Sequence, residues 1–107
     1  MRKITREASK ALRNGENYSN SNTIVKGCTL EPRSMKLHDN TIAVWDGEAH
    51  TLTINDCGWQ STTTKERLNG VLYYFGLGHI FQKNYTWYYM NTDRKVFNFD
   101  SSMSFDI

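Results

Sequence analysis

The sequence predicts an α+β fold: an antiparallel sheet of five to six strands, made of a meander plus a C-terminal hairpin, with two helices, in the order α-β-β-β-β-α-β-β. Three observations carry that prediction. Two segments space apolar residues three and four apart, beside cap and glycine signals. A central segment alternates apolar and polar residues between tight-turn pairs. The last third is rich in aromatic residues that also alternate. At 107 residues the chain fits a single domain over 1–107. That length buries a modest core without metal or disulfide support.

The first helix is expected over about Arg6–Asn14, capped by Thr5 and ended by Gly15, within a basic segment 1–15. Ile4, Ala8, Ala11 and Leu12 form a thin apolar stripe, so this helix needs a docking partner. Glu16–Asn22 is polar and reads as a loop, and Thr23–Gly27 as a first strand. Pro32, the only proline, marks a loop or a sheet edge. A meander is expected over 22–57. In it, Met35–His38 and Thr41–Trp45 flank an Asp39–Asn40 turn, and Asp46–Gly47 leads into Thr51–Asn55. Leu52 and Ile54 alternate with Thr51, Thr53 and Asn55, which means one buried face.

A second helix is expected over 62–76, with Thr63 and Glu66 at capping-box spacing. Leu68, Val71, Leu72 and Phe75 give it a strong apolar face. Gly70 inside it costs about 1 kcal/mol against alanine, which points to close packing on a neighbour. Gly76 and Gly78 end it. An aromatic hairpin follows over 79–100: His79–Lys83, Tyr85–Met90, an Asn91–Arg94 turn, and Lys95–Phe99. Ser101–Ile107 is either a tail or a last strand at the sheet edge.

Charge and motifs bound the function. The total charge is +2, but the segment up to Asn14 has five bases (Arg2, Lys3, Arg6, Lys10, Arg13) against Glu7 alone. That segment is +4 and the remainder −2, a local patch and not a basic protein throughout. The longest apolar run, Val71–Phe75, is too short to span a bilayer, and MRKITREASK has no apolar segment of a secretory signal. No Gly-rich phosphate loop, GxSxG or HExxH occurs, so the chain is expected not to be an enzyme and to need no cofactor. Cys28 and Cys57 are expected to be reduced and partly buried, because no closely spaced ligand pair exists. A zinc site from His38, His50, Cys28 and Cys57 is disfavoured on the same ground, leaving no expected metal.

Two surfaces remain as binding candidates. Arg2, Arg6, Lys10 and Arg13 share the polar face of the first helix. Tyr85, Trp87 and Tyr89 share one face of a strand, with Tyr88 and Met90 on the other. One of these faces is the core; an exposed one would stack bases, and the basic helix would meet phosphates. Lys65, Arg67 and Asn69 lie off the apolar face of the second helix and are expected in solvent. Thr62–Thr64 with Lys65 and Arg67 are expected foremost as an ordinary threonine cap with a salt-bridged surface; the alternative is an anion site made by the unpaired amides and hydroxyls. Trp59 is expected as a core anchor.

The block Gly58–Val71, GWQSTTTKERLNGV, resembles a recurring G-W-x-(S/T)-x-TT-K-x-R-L-N motif of small tailed-phage proteins. Asn22–Val25, Leu37–Ala43, Gln82–Tyr88 and Phe99–Met103 resemble further motifs of that family in the same order. Asp39 stands where glycine is usual, and serine replaces glycine in the last motif. The resemblance covers roughly 22–103 and implies origin and fold, not activity. From that origin alone, the expectation is a phage accessory protein in the host cytoplasm that binds a host or phage macromolecule, foremost a protein, in modulating host defence or transcription. Nucleic-acid binding and a minor virion role are the alternatives. No membrane partner is expected, and the oligomeric state is open.

Overall fold

The structure, a computed structural model, describes residues 1–26 and 32–107. Its elements are α1 (Lys3–Asn14), β1 (Tyr18–Asn20), β2 (Thr23–Lys26), β3 (Arg33–Leu37), β4 (Asn40–Asp46), β5 (Thr51–Asn55), α2 (Thr62–Tyr74), β6 (His79–Lys83), β7 (Thr86–Met90), β8 (Val96–Asn98) and β9 (Ser102–Asp106). The α+β class holds, with two sheets in place of one. A six-stranded antiparallel sheet runs β1-β2-β3-β4-β5-β9, and a three-stranded one runs β6-β7-β8. The C-terminal segment is therefore a strand, returning to the edge of the first sheet beside β5. Tyr18–Asn20, expected in a loop, is a short edge strand paired with β2. Its three residues carry no alternation to read.

The meander follows its pattern. Leu52 and Ile54 are fully buried, and Thr51, Thr53 and Asn55 lie on the half-exposed face. The first tight turn sits one residue earlier than expected. His38 and Asp39 hold the positive φ angles (49° and 65°), and Asn40 pairs with Leu37. A register shift between Met35 and Lys36 puts an extra residue into β4. That bulge explains why the sequence neighbours Ile42 and Ala43 are both buried.

One core lies between the large sheet and a layer of α1, α2 and the small sheet. Val25, Met35, Leu37, Trp45, Leu52 and Ile54 come from below. Ala8, Leu12, Leu68, Val71, Leu72, Ile80, Trp87 and Tyr89 come from above.

Both helices start differently from expectation. α1 begins at Lys3 with Arg2 at its N-cap, and Thr5 is buried inside it. Gly15 ends it at φ 77°, as its type suggests. α2 is capped by Ser61, whose Oγ accepts the Thr64 N–H at 3.0 Å. Glu66 leaves the expected capping box for partners on α1. Ser61→Ala is therefore expected to cost about 1 kcal/mol and Thr63→Ala about a third of that or less, as urea denaturation would show. A larger loss at Thr63 would contradict this assignment of the cap.

Candidate functional site

α1 carries the basic face, and its docking determines what that face presents. Ala8 and Leu12 are wholly buried, with Ala11 nearly so. Arg2, Arg6, Lys10 and Arg13 project from the other side within an arc of about 80° at the α-helical repeat. All four are exposed. Among the described residues none has a carboxylate at ion-pair distance. Arg13 also lies over aromatic rings, 5.3 Å from the Phe75 centroid and 5.9 Å from that of Trp45. Arg33 Nη1 donates to the Leu12 and Arg13 carbonyls at 3.0 and 3.1 Å, closing the C-terminal end of α1.

The opposite end of α1 has an electrostatic problem. Its first turn holds no acid and two cations, the wrong sign for a helix N-terminus. Glu66 on α2 supplies the missing charge. Its Oε2 accepts the Arg2 N–H at 3.0 Å, and its Oε1 accepts the Thr5 hydroxyl. Burial opposes ionisation of Glu66. The Thr5 and Arg2 hydrogen bonds, with the Arg67 and Arg2 charges, outweigh it and hold the carboxyl below its ordinary value.

Arg67 is the largest departure from expectation at a candidate residue. It is 1% exposed, not solvent-facing. Its Nη1 donates to Thr5 Oγ1 and Glu66 Oε1, both at 2.6 Å, and its Nε to Thr23 Oγ1 at 3.1 Å. Burial lowers its pKa, and Glu66 partly restores it. A guanidinium engaged in this way ties α2 to α1 and to β2; it is not available to an outside anion. The helical pattern leaves Arg67 beside Leu68 on the edge of the apolar face, and α1 and β2 meet it there. Asn69 is likewise engaged. Its side-chain amide accepts the Ile80 N–H at 2.6 Å and donates to the Ile80 carbonyl at 2.9 Å. It occupies the open edge of β6 as a neighbouring strand would. Lys65 is half-exposed and stays on the surface.

The structure thus brings Arg2 and Arg67 together, and neither meets the aromatic residues. They line a cleft of about 400 Å³ with Lys3, Ile4 and the Asn20–Asn22 turn. Its rim is basic because Arg2 and Lys3 are exposed, while Glu66 neutralises Arg67 at its floor.

The expected aromatic platform is corrected. Trp87 and Tyr89 are 2% and 4% exposed, so their face is the core. Tyr85 is 93% exposed, but it sits in the β6–β7 turn at φ 65° and not in the strand. On that same face Phe97, across from Tyr89 on β8, is 47% exposed, while the other face carries two half-buried aromatics. Phe81 and Tyr88 pair across β6 and β7 with centroids 5.5 Å apart and planes at 24°. Alternation shows which residues share a face and is silent on which face is covered. Trp59 is also corrected: it is 64% exposed. Cys57 and Gly58 both take positive φ (57° and 76°) and swing it outward.

The remaining polar candidates have structural partners. Asp56 is buried and accepts from Gly58 N–H (2.7 Å), Gln60 Nε2 (3.0 Å) and Ser101 Oγ (3.1 Å). Cys57 is a free, exposed thiol, not a partly buried one, that donates to the Thr41 carbonyl at 3.1 Å. Slight burial and the Asp56 charge raise its pKa. Cys28, the fourth member of the disfavoured zinc set, lies outside the described residues. Among the described residues no three His, Cys, Asp or Glu side chains converge as a metal site. No described helix is long and apolar enough to cross a membrane.

A family model described as Kyanoviridae Gp96 protein matches residues 1–106, and the chain belongs to this tailed-phage family. No curated protein and no solved structure matches it.

Proposed function

We propose that this phage protein is a non-enzymatic accessory factor. It binds an acidic host or phage macromolecule in the host cytoplasm through the exposed face of α1, foremost a protein engaged in host defence or transcription. The observation that supports this reading is the set of four cations, Arg2, Arg6, Lys10 and Arg13, on one docked face with no described acid paired to them. Long-range attraction from such a face speeds association and is screened by salt.

The double variant Arg6→Glu/Lys10→Glu reverses the middle of that face. Both side chains are exposed, so stability should change by less than about 0.5 kcal/mol. Capture of the partner from infected-cell lysate should fall on the order of tenfold or more. Capture equal to that of the parent protein at low salt would remove α1 from the interface.

A second reading, nucleic-acid binding, is favoured by the stacked Phe81–Tyr88 pair on the outer face of the small sheet. Lys83 lies on the same face by strand alternation. Nuclease treatment of the lysate separates the two readings. Loss of capture after nuclease, together with loss in Phe81→Ala/Tyr88→Ala, would assign the target to nucleic acid. Stoichiometric copies in purified particles, counted by mass spectrometry, would place the protein in the virion instead.

A further inference from the structure

We propose that the chain forms a two-fold dimer by antiparallel pairing of β9 with β9 of a second copy, joining two six-stranded sheets into one. Sheet edges are ready templates for another strand, and folded proteins normally block them. The four edges of the two described sheets are treated differently. β1 and β8 are three residues each, too short to template much. β6 is stopped by the Asn69 amide, which takes both polar groups of Ile80. β9 is five residues long, pairs with β5 without a bulge, and has no proline or lysine.

The hydrogen-bond phase of β9 identifies its free groups. Ser101 accepts the Asp56 N–H at 2.9 Å, and the Ile107 N–H donates to His50 at 2.8 Å. Odd-numbered residues therefore face β5 in the ladder, and Ser102, Ser104 and Asp106 turn their N–H and C=O groups outward. No described residue pairs with that outer edge.

The sequence of β9 suits a second copy of itself. A two-fold axis through Ser104 sets Ser104 against Ser104, and Ser102 against Asp106, in hydrogen-bonded pairs. Six backbone hydrogen bonds result. Met103 then faces Phe105 of the other copy on the core side, where both are half-buried. No like charges meet: the two Asp106 residues lie roughly 14 Å apart at strand spacing, beyond the screening length at physiological salt of about 8 Å. Apolar packing continues from β9 into the small sheet. Phe105 packs on Tyr89 at 5.1 Å, Tyr89 pairs with Phe97, and Val96 and Phe97 are about half-exposed (48% and 47%). The two α1 helices then lie on one side of the joined sheet, at its far ends.

The experiment is light scattering with size exclusion over a concentration series, on the parent protein and on Ser104 charge variants. The parent should approach twice the 12.5 kDa chain mass at high concentration. Ser104→Lys and Ser104→Glu should each stay monomeric at concentrations where the parent is dimeric, because like charges then face each other across the axis. Their equimolar mixture should recover the dimer. Ser104 is exposed, so both variants should keep the parent circular dichroism. Ser104→Pro removes the outward N–H, together with the 3.0 Å Ser104 Oγ–Thr53 Oγ1 hydrogen bond, and should also be monomeric. A parent that stays at the chain mass throughout overturns the proposal. So does association that Ser104→Lys and Ser104→Glu both leave unchanged, which would place the interface elsewhere.

Discussion

Arg67→Ala is expected to cost about 3–5 kcal/mol of folding stability. On a chain of this size that lowers Tm by roughly 15 °C or more. Exposed ion pairs contribute little, but this guanidinium is 1% exposed and satisfies three groups at once. Its removal leaves Glu66 without its cation and the Thr5 and Thr23 hydroxyls short of a donor, as well as a void. Arg67→Lys keeps a charge but presents one head where the fork reaches Thr5, Glu66 and Thr23, so it should recover only part of the loss. Urea denaturation with an unchanged m value would measure both. A loss under about 1 kcal/mol would mean that α1 does not depend on this network.

The same network gives the stability a signed pH dependence. Folded Glu66 holds its carboxyl below the ordinary 4.5, so in the acid range the unfolded chain binds more protons than the folded one. Its contribution is complete above that ordinary value and is lost as pH falls through the lower folded value. Glu66→Gln should flatten that part of the profile.

Gly78→Ala is the second large effect, expected at about 3 kcal/mol or more, at the upper end of overpacking costs. A Cβ at Gly78 would lie 1.7 Å from the Met90 carbonyl oxygen and 2.9 Å from Asn91 Cα. Both are backbone at the end of β7, so no side-chain rotation relieves the clash and the β6–β7 hairpin must shift. Gly70→Ala tests the same principle with opposite local preference. In a free helix alanine would gain about 1 kcal/mol, but here its Cβ meets Thr5 Cγ2 at 2.2 Å and Ser9 Oγ at 2.7 Å. The net effect should be destabilising and smaller than at Gly78, because those neighbours are side chains. Thr5→Ser should relieve part of it. Gly58→Ala has open space around it and should cost only about 1–2 kcal/mol of left-handed strain. Thermal denaturation would rank the three. Gly58 ranking above Gly78 would contradict the close approach of α2's exit to β7.

What sequence alone determined was local. The periods of α1, α2 and the meander, Gly15 as a helix end, and the close approach at Gly70 all follow from patterns within a few residues. So does the basic face, because exposed cations on a short amphipathic helix need no further context. The misplacements share one cause. Ser61 displaced Thr63 as cap because Glu66 is drawn to Arg2 and Thr5, 64 and 61 residues away. Arg67 and Asn69 turned inward because α1 and β6 cover the flanks of α2, and Trp59 turned outward on two left-handed residues. Trp87 and Tyr89 became core because the large sheet lies on that side. A periodic pattern defines faces and their members. Which face is buried, and which polar group is held by a partner dozens of residues away, is decided only when the layers pack, since desolvation and hydrogen-bond satisfaction are properties of the assembled neighbours.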